Sequence, residues 1–115
     1  MRVTGQSMSP TLQPGDLVFV NTRAYHARPP RRGELVAARP SRFGGRALVK
    51  RIVGLPGEQL DVEGKCWHLG EGEFFLLGDQ PKDSQDSRVF SPVTRLELIG
   101  QVRVRLWPWR RFVES

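Results

Sequence analysis

Apolar residues along this chain come in short runs, spaced as strands are rather than as helices. Leu17-Val18-Phe19-Val20 is apolar, partly β-branched and of strand length. Pro14-Gly15-Asp16 before it reads as a turn, Pro fixing φ at one position and Gly taking a positive φ at the next. Glu34 to Arg39 predicts a second strand and Ala47 to Val53 a third, with a turn over Ser41 to Gly45 between them. Gln59-Leu60-Asp61-Val62 and Lys65-Cys66-Trp67-His68 flank Glu63-Gly64, a small hairpin signal. Glu73 to Leu77 predicts another strand. The last, Ile99 to Leu106, alternates Val102, Val104 and Leu106 with Arg103 and Arg105, the pattern of a half-buried strand. Between these, residues 23–33 read as an exposed loop around Pro29-Pro30, and Thr94 to Glu97 as a short helical turn. Residues 79–88 read as a polar loop that cannot contribute to a core. The expected fold is all-β, a compact, coiled, barrel-like sheet with little helix, in a single domain over residues 1–115.

Composition narrows the picture. Twelve Gly and nine Pro in 115 residues suit a chain of many turns. No stretch approaches the roughly 20 apolar residues of a membrane span, and no basic-then-apolar leader opens the chain. It therefore reads as soluble and cytoplasmic, with the cytoplasmic membrane as the alternative if an anchor precedes Met1. Cys66 is the only cysteine, and His26 and His68 lack ligand spacing. An internal disulfide is excluded, and neither a metal nor a cofactor is expected. The net charge of +6 is carried mostly by arginines scattered among acids, with no nucleic-acid-binding motif, so nucleic acid is not an expected partner. Trp107-Pro108-Trp109-Arg110-Arg111-Phe112 offers a weak membrane-surface contact, although aromatics packed back on the sheet with a basic end are the preferred reading.

Two stretches carry chemistry. Gly5-Gln6-Ser7-Met8-Ser9-Pro10-Thr11-Leu12 is poor in core-building side chains and suits a segment that presents a hydroxyl, which makes Ser7 a candidate nucleophile. A serine needs a base within hydrogen-bond reach. Lys50 interrupts the apolar third strand, where desolvation would favour its neutral form. Because side chains alternate along a strand, either Lys50 faces a dry site and Arg51 the solvent, or the reverse.

Ser7-Met8-Ser9-Pro10-Thr11-Leu12, then Lys50-Arg51-Ile52-Val53-Gly54-Leu55-Pro56-Gly57-Glu58, then Gly78-Asp79 through Ser84-Gln85-Asp86-Ser87-Arg88, resemble the three sequence boxes of the type I signal peptidase family, in the family's order. The resemblance implies a serine endopeptidase with a Ser/Lys dyad and no histidine. It implies Ser7 as nucleophile and Lys50 as general base. Ser84 would orient the lysine amine, Asp86 and Arg88 would brace its loop, and Asp79 would be structural. Met8 becomes a wall of the substrate pocket. Gly5 stands where many members carry a serine that donates to the oxyanion, so backbone donors are implied there. The partner is a precursor protein or leader peptide, cut after a small residue. The small size resembles the short membrane-free branch, typified by the nickel-type superoxide dismutase maturation protease. Two alternatives compete: a fragment of a self-cleaving regulator of the LexA type, and a non-catalytic basic β-barrel binding module. The oligomeric state is not legible in the sequence.

Overall fold

The structure is a computed structural model that describes Met8, Leu12 and residues 15–42, 44–80, 86–107 and 110–111. The strands are β1 (Leu17–Asn21), β2 (Leu35–Ala38), β3 (Leu48–Gly54), β4 (Gln59–Val62), β5 (Lys65–His68), β6 (Glu73–Leu77), β7 (Val93–Thr94), β8 (Leu98–Trp107) and β9 (Arg110–Arg111). Two single-turn helices, α1 (Ala24–Ala27) and α2 (Ser87–Phe90), and a 3-10 turn over Arg95–Glu97 complete the described elements. The main sheet is antiparallel in each of its pairings, in the order β1-β8-β2-β3-β6-β7, with β9 added to β8. The expected all-β class holds. The sheet stays open, however: among the described residues β1 and β7 end the order and no pairing joins them.

The sheet is covered on both faces around β2, whose four residues are all buried. Val36 and Ala38 join Tyr25, Ile52, Phe74, Leu76, Phe90, Val93 and Leu98 in one apolar cluster. Leu35 and Ala37 join Met8, Leu12, Val18, Val49 and Val102 in the other. Alternation along β2 thus feeds two cores, with residues of α1 and α2 on one side and residues of the N-terminal segment on the other.

Residues 23–33 depart from the exposed loop expected of them. Tyr25, in α1, is buried and donates its hydroxyl to Glu34 Oε1 at 3.2 Å. Glu34 also accepts from Gln101 Nε2 at 2.8 Å, from the Arg31 N–H at 2.7 Å and from Arg28. A buried carboxylate is tolerated only when its oxygens are satisfied in this way. Here it draws the loop onto β8. Burial, and then Glu34, push the Tyr25 phenol upward, so it remains a donor across the physiological range.

The hairpin β4–β5 has the expected register, with Val62 opposite Lys65. Its two turn residues, Glu63 and Gly64, have φ of 52° and 80°, the left-handed combination of a type I′ turn. The hairpin packs on the main sheet at Gly54, where an added Cβ would lie 2.4 Å from Leu60 and 2.9 Å from the Phe75 Cβ. Trp67 meets Phe75 edge-on, with ring centroids 5.0 Å apart.

Thr94 and Glu97 form a capping box on the 3-10 turn, and Glu97 Oε2 also accepts from the Ser41 N–H and hydroxyl. Burial raises the Glu97 pKa, but the hydrogen bonds from Thr94 and Ser41 outweigh it and hold the carboxyl below its ordinary value. Its stabilising effect is therefore present above the usual carboxylate range and lost as pH falls through the folded value. Glu97→Ala should cost about 1 kcal/mol at neutral pH. Urea unfolding at descending pH should show the gap to wild type closing in acid; a gap that widens in acid would contradict the assignment.

Candidate active site

β3 settles which way Lys50 points. Lys50 stands opposite Val36, and Arg51 opposite Leu35. Directly opposed residues share a face of the sheet, so Lys50 lies on the side of Val36 and Ile52. Its side chain is 2% exposed, the largest of the fully buried side chains among the described residues. Arg51 occupies the other face. Its Nε donates to Asp79 Oδ1 at 2.9 Å, its Nη2 to Asp79 Oδ2 at 2.8 Å and its Nη1 to the Gly33 carbonyl at 2.7 Å. The bidentate bond to Asp79 raises the Arg51 pKa further, so this charge is permanent.

Asp79 lies just past the end of β6, which pairs with β3 through Arg51–Leu77 and Ile52–Leu76. The loop that leaves here returns at Asp86, the N-cap of α2. The Asp86 side chain is wholly buried. It accepts from the Gly78 N–H at 3.2 Å, from the Arg88 N–H at 3.1 Å, from Arg88 Nε at 2.9 Å and from Arg88 Nη2 at 2.8 Å. The Gly78 bond joins the two stems of the loop directly. Chiefly through its bond to Asp86, Arg88 is held above the ordinary arginine range. Ser87 is also buried, and its Oγ accepts from the Leu76 N–H at 2.9 Å. The polar stretch expected to stay out of the core therefore supplies two of its buried residues. They are tolerable there because each has partners.

Of the residues singled out in the sequence, Lys50, Asp79, Asp86 and Arg88 are brought to neighbouring elements: β3, the end of β6 and α2. Met8 is placed in the apolar cluster with Leu12, Val18 and Val49 and is 1% exposed. Ser7, Gly5 and Ser84 lie outside the described residues. His26, His68 and Cys66 are exposed, and among the described residues no group of His, Cys, Asp and Glu is arranged to hold a metal.

Sequence reasoning missed two contributors. The sequence leaves open which of Lys50 and Arg51 is solvated and assigns Arg51 no partner, yet Arg51 pins Asp79. Glu63 reads as a turn residue, yet its carboxylate accepts from Arg88 Nη1. The one local signal for the latter is a glutamate where a type I′ turn favours Asn, Asp or Gly.

The frame that results is a buried lysine in a central strand, with Gly78 and Asp86 joined by a hydrogen bond nearby. The family "Signal peptidase, peptidase S26" matches the chain in two overlapping segments, residues 1–66 and 59–107. Signal peptidase I of Leptolyngbya laminosa is 30% identical over 97% of this chain and 70% of its own length. Mitochondrial inner membrane protease subunit 1 of Mus musculus is 30% identical over 95% of this chain and 69% of its own. Signal peptidase I of Bacillus caldolyticus is 28% identical over 96% and 80%. The chain belongs to the signal peptidase family, peptidase S26, and is a serine-type endopeptidase. No helix among the described residues is long and apolar enough to cross a membrane.

Asp86→Ala should destabilise the fold by about 3 kcal/mol, because it removes the buried carboxylate that accepts from Arg88 Nε and Nη2 and from the Gly78 N–H. Equilibrium urea unfolding measures this. A loss within experimental error of zero would mean that the clamp does not hold the loop.

Proposed function

We propose that this endopeptidase removes an N-terminal signal peptide or leader from precursor proteins, with Ser7 as nucleophile and Lys50 as general base. The observation that carries the reading is the depth of Lys50, 2% exposed in a strand interior beside apolar Val36 and Ile52. Burial disfavours the ammonium form, and a base must be neutral to accept a proton. The names of the relatives, signal peptidases and an inner membrane protease, support the substrate class.

The steps follow from these roles. The neutral Lys50 amine takes the Ser7 proton as the oxygen attacks the scissile carbonyl. The resulting ammonium returns the proton to the leaving amine, and the acyl group stays on Ser7. Water, deprotonated by the same amine, then hydrolyses the ester. Ser84 orients the amine. Gly5 has no side-chain donor, so the tetrahedral oxyanion is met by backbone N–H groups. Placement in the membrane-free branch rests on the resemblance alone. A nickel superoxide dismutase-type leader is accordingly the second substrate, beside a signal peptide with a small residue at the cut.

Cleavage of both peptides by wild type, Ser7→Ala, Lys50→Ala and Lys50→Met is the test. Each variant should lose roughly 10⁴-fold or more in kcat. Wild-type activity should rise with pH as the lysine loses its proton. Residual cleavage in Lys50→Ala near the wild-type rate would sink the dyad.

A further inference from the structure

We propose that Cys66 and His68, on the outward face of the β4–β5 hairpin, form half of a zinc site that a second copy of this chain completes. The site is separate from the Ser/Lys chemistry and does not rest on it. In a strand, residues two apart lie on the same face. Cys66 and His68 are so placed in β5, and both are exposed. Cys66 Sγ lies 3.6 Å from His68 Nε2. A tetrahedral zinc with Zn–S of ~2.3 Å and Zn–N of ~2.0 Å spans about 3.5 Å between two such ligand atoms. The pair therefore stands at the bite of a zinc ion. The same distance suits a thiol–imidazole hydrogen bond, whose proton the metal displaces.

The backbone beneath the pair is fixed by the hairpin. Asp61 stands opposite Cys66, and Gln59 opposite His68. The inward face is seated on the main sheet, through Leu60 against Gly54 and Trp67 against Phe75. The outward face carries Gln59, Asp61, Cys66 and His68, all exposed and open to approach. Gln59 Nε2 donates to Cys66 Sγ at 3.4 Å, a bond that a zinc-bound thiolate can keep. Two ligands are fewer than the four of a structural zinc site. Among the described residues of one chain no third joins them. The other histidine, His26, lies in α1, and the sequence holds no further cysteine. A second hairpin, brought face to face by a two-fold axis, supplies the missing thiolate and imidazole. The balance is one Zn²⁺ with two thiols and two neutral imidazoles, giving a neutral centre and two released protons. Each copy carries a net charge of +6, so repulsion opposes the pairing unless the metal is present.

The test is titration of the reduced full chain with zinc alone, with the mass followed by sedimentation. A monomer without metal should become a dimer holding one zinc per two chains. Two protons should leave per zinc, read with an indicator in weak buffer at neutral pH. Cobalt in place of zinc should give the visible bands of a tetrahedral ion with sulfur ligands. Cys66→Ser and His68→Ala should each weaken zinc binding about 100-fold or more, since losing even a hydrogen-bond partner of a ligand can cost about that much. Both positions are exposed, so the metal-free melting temperature should stay as in wild type. His26→Ala should bind as wild type does. No zinc binding, one zinc per chain with no dimer, or binding retained in Cys66→Ser or His68→Ala would overturn the proposal.

Discussion

A lysine side chain buried in the middle of a sheet strand is the constraint around which this structure is arranged. An ammonium in that position is costly unless it is paired or gives up its proton. The chain places Lys50 on the face of β3 shared with Val36 and Ile52, and puts the permanent charge of the next residue, Arg51, on the other face. One strand therefore carries a buried lysine on one face and a paired, partly exposed arginine on the other. The fixed cation is matched by Asp79 and by the Gly33 carbonyl.

The ion pairs do a different task from the apolar clusters. Apolar contacts fill both faces of β2 and set where the strands lie. The ion pairs Arg51–Asp79 and Arg88–Asp86 set where a loop begins and ends. A loop loses little entropy from one more restraint at its stems. Bidentate guanidinium–carboxylate geometry supplies that kind of restraint, because it fixes direction as well as distance. The Glu34 network, tying Tyr25, Arg28 and Gln101 together, anchors the loop over residues 23–33 by the same means.

Strand positions were largely legible in the sequence, for a local reason. Glu63-Gly64 brackets β4 and β5, and the flanking turns bracket β6, so tight turns fixed the ends of those elements. The three-box resemblance likewise placed Lys50, Asp79, Asp86 and Arg88, all of which the structure gathers around β3, β6 and α2. What was not legible depended on distance along the chain. Alternation in β3 is symmetric, so only the cross-strand neighbours could show which of Lys50 and Arg51 is buried. Helix α1 was invisible because Tyr25 is drawn inward by Glu34, which is itself satisfied by Gln101 from β8. The burial of Asp86 and Ser87 was hidden for a related reason: composition marks a residue as polar, not as partnered.

The hairpin shows how such long-range terms can run against local preference. A glutamate in a left-handed turn position weakens β4–β5 locally, and the pair is small, with several exposed residues in each strand. Two attachments compensate. Gly54 lets Leu60 and Phe75 approach the same point, which seats the base of the hairpin on the sheet. At the tip, Arg88 receives the Glu63 carboxylate. A two-stranded hairpin alone is marginal in water, but one held at both ends can transmit its position to whatever it touches. What it touches is the stem of the loop that follows β6. The residue least suited to its turn is therefore one of the contacts, with Gly54 and Trp67, that tie this small second sheet to the rest of the chain.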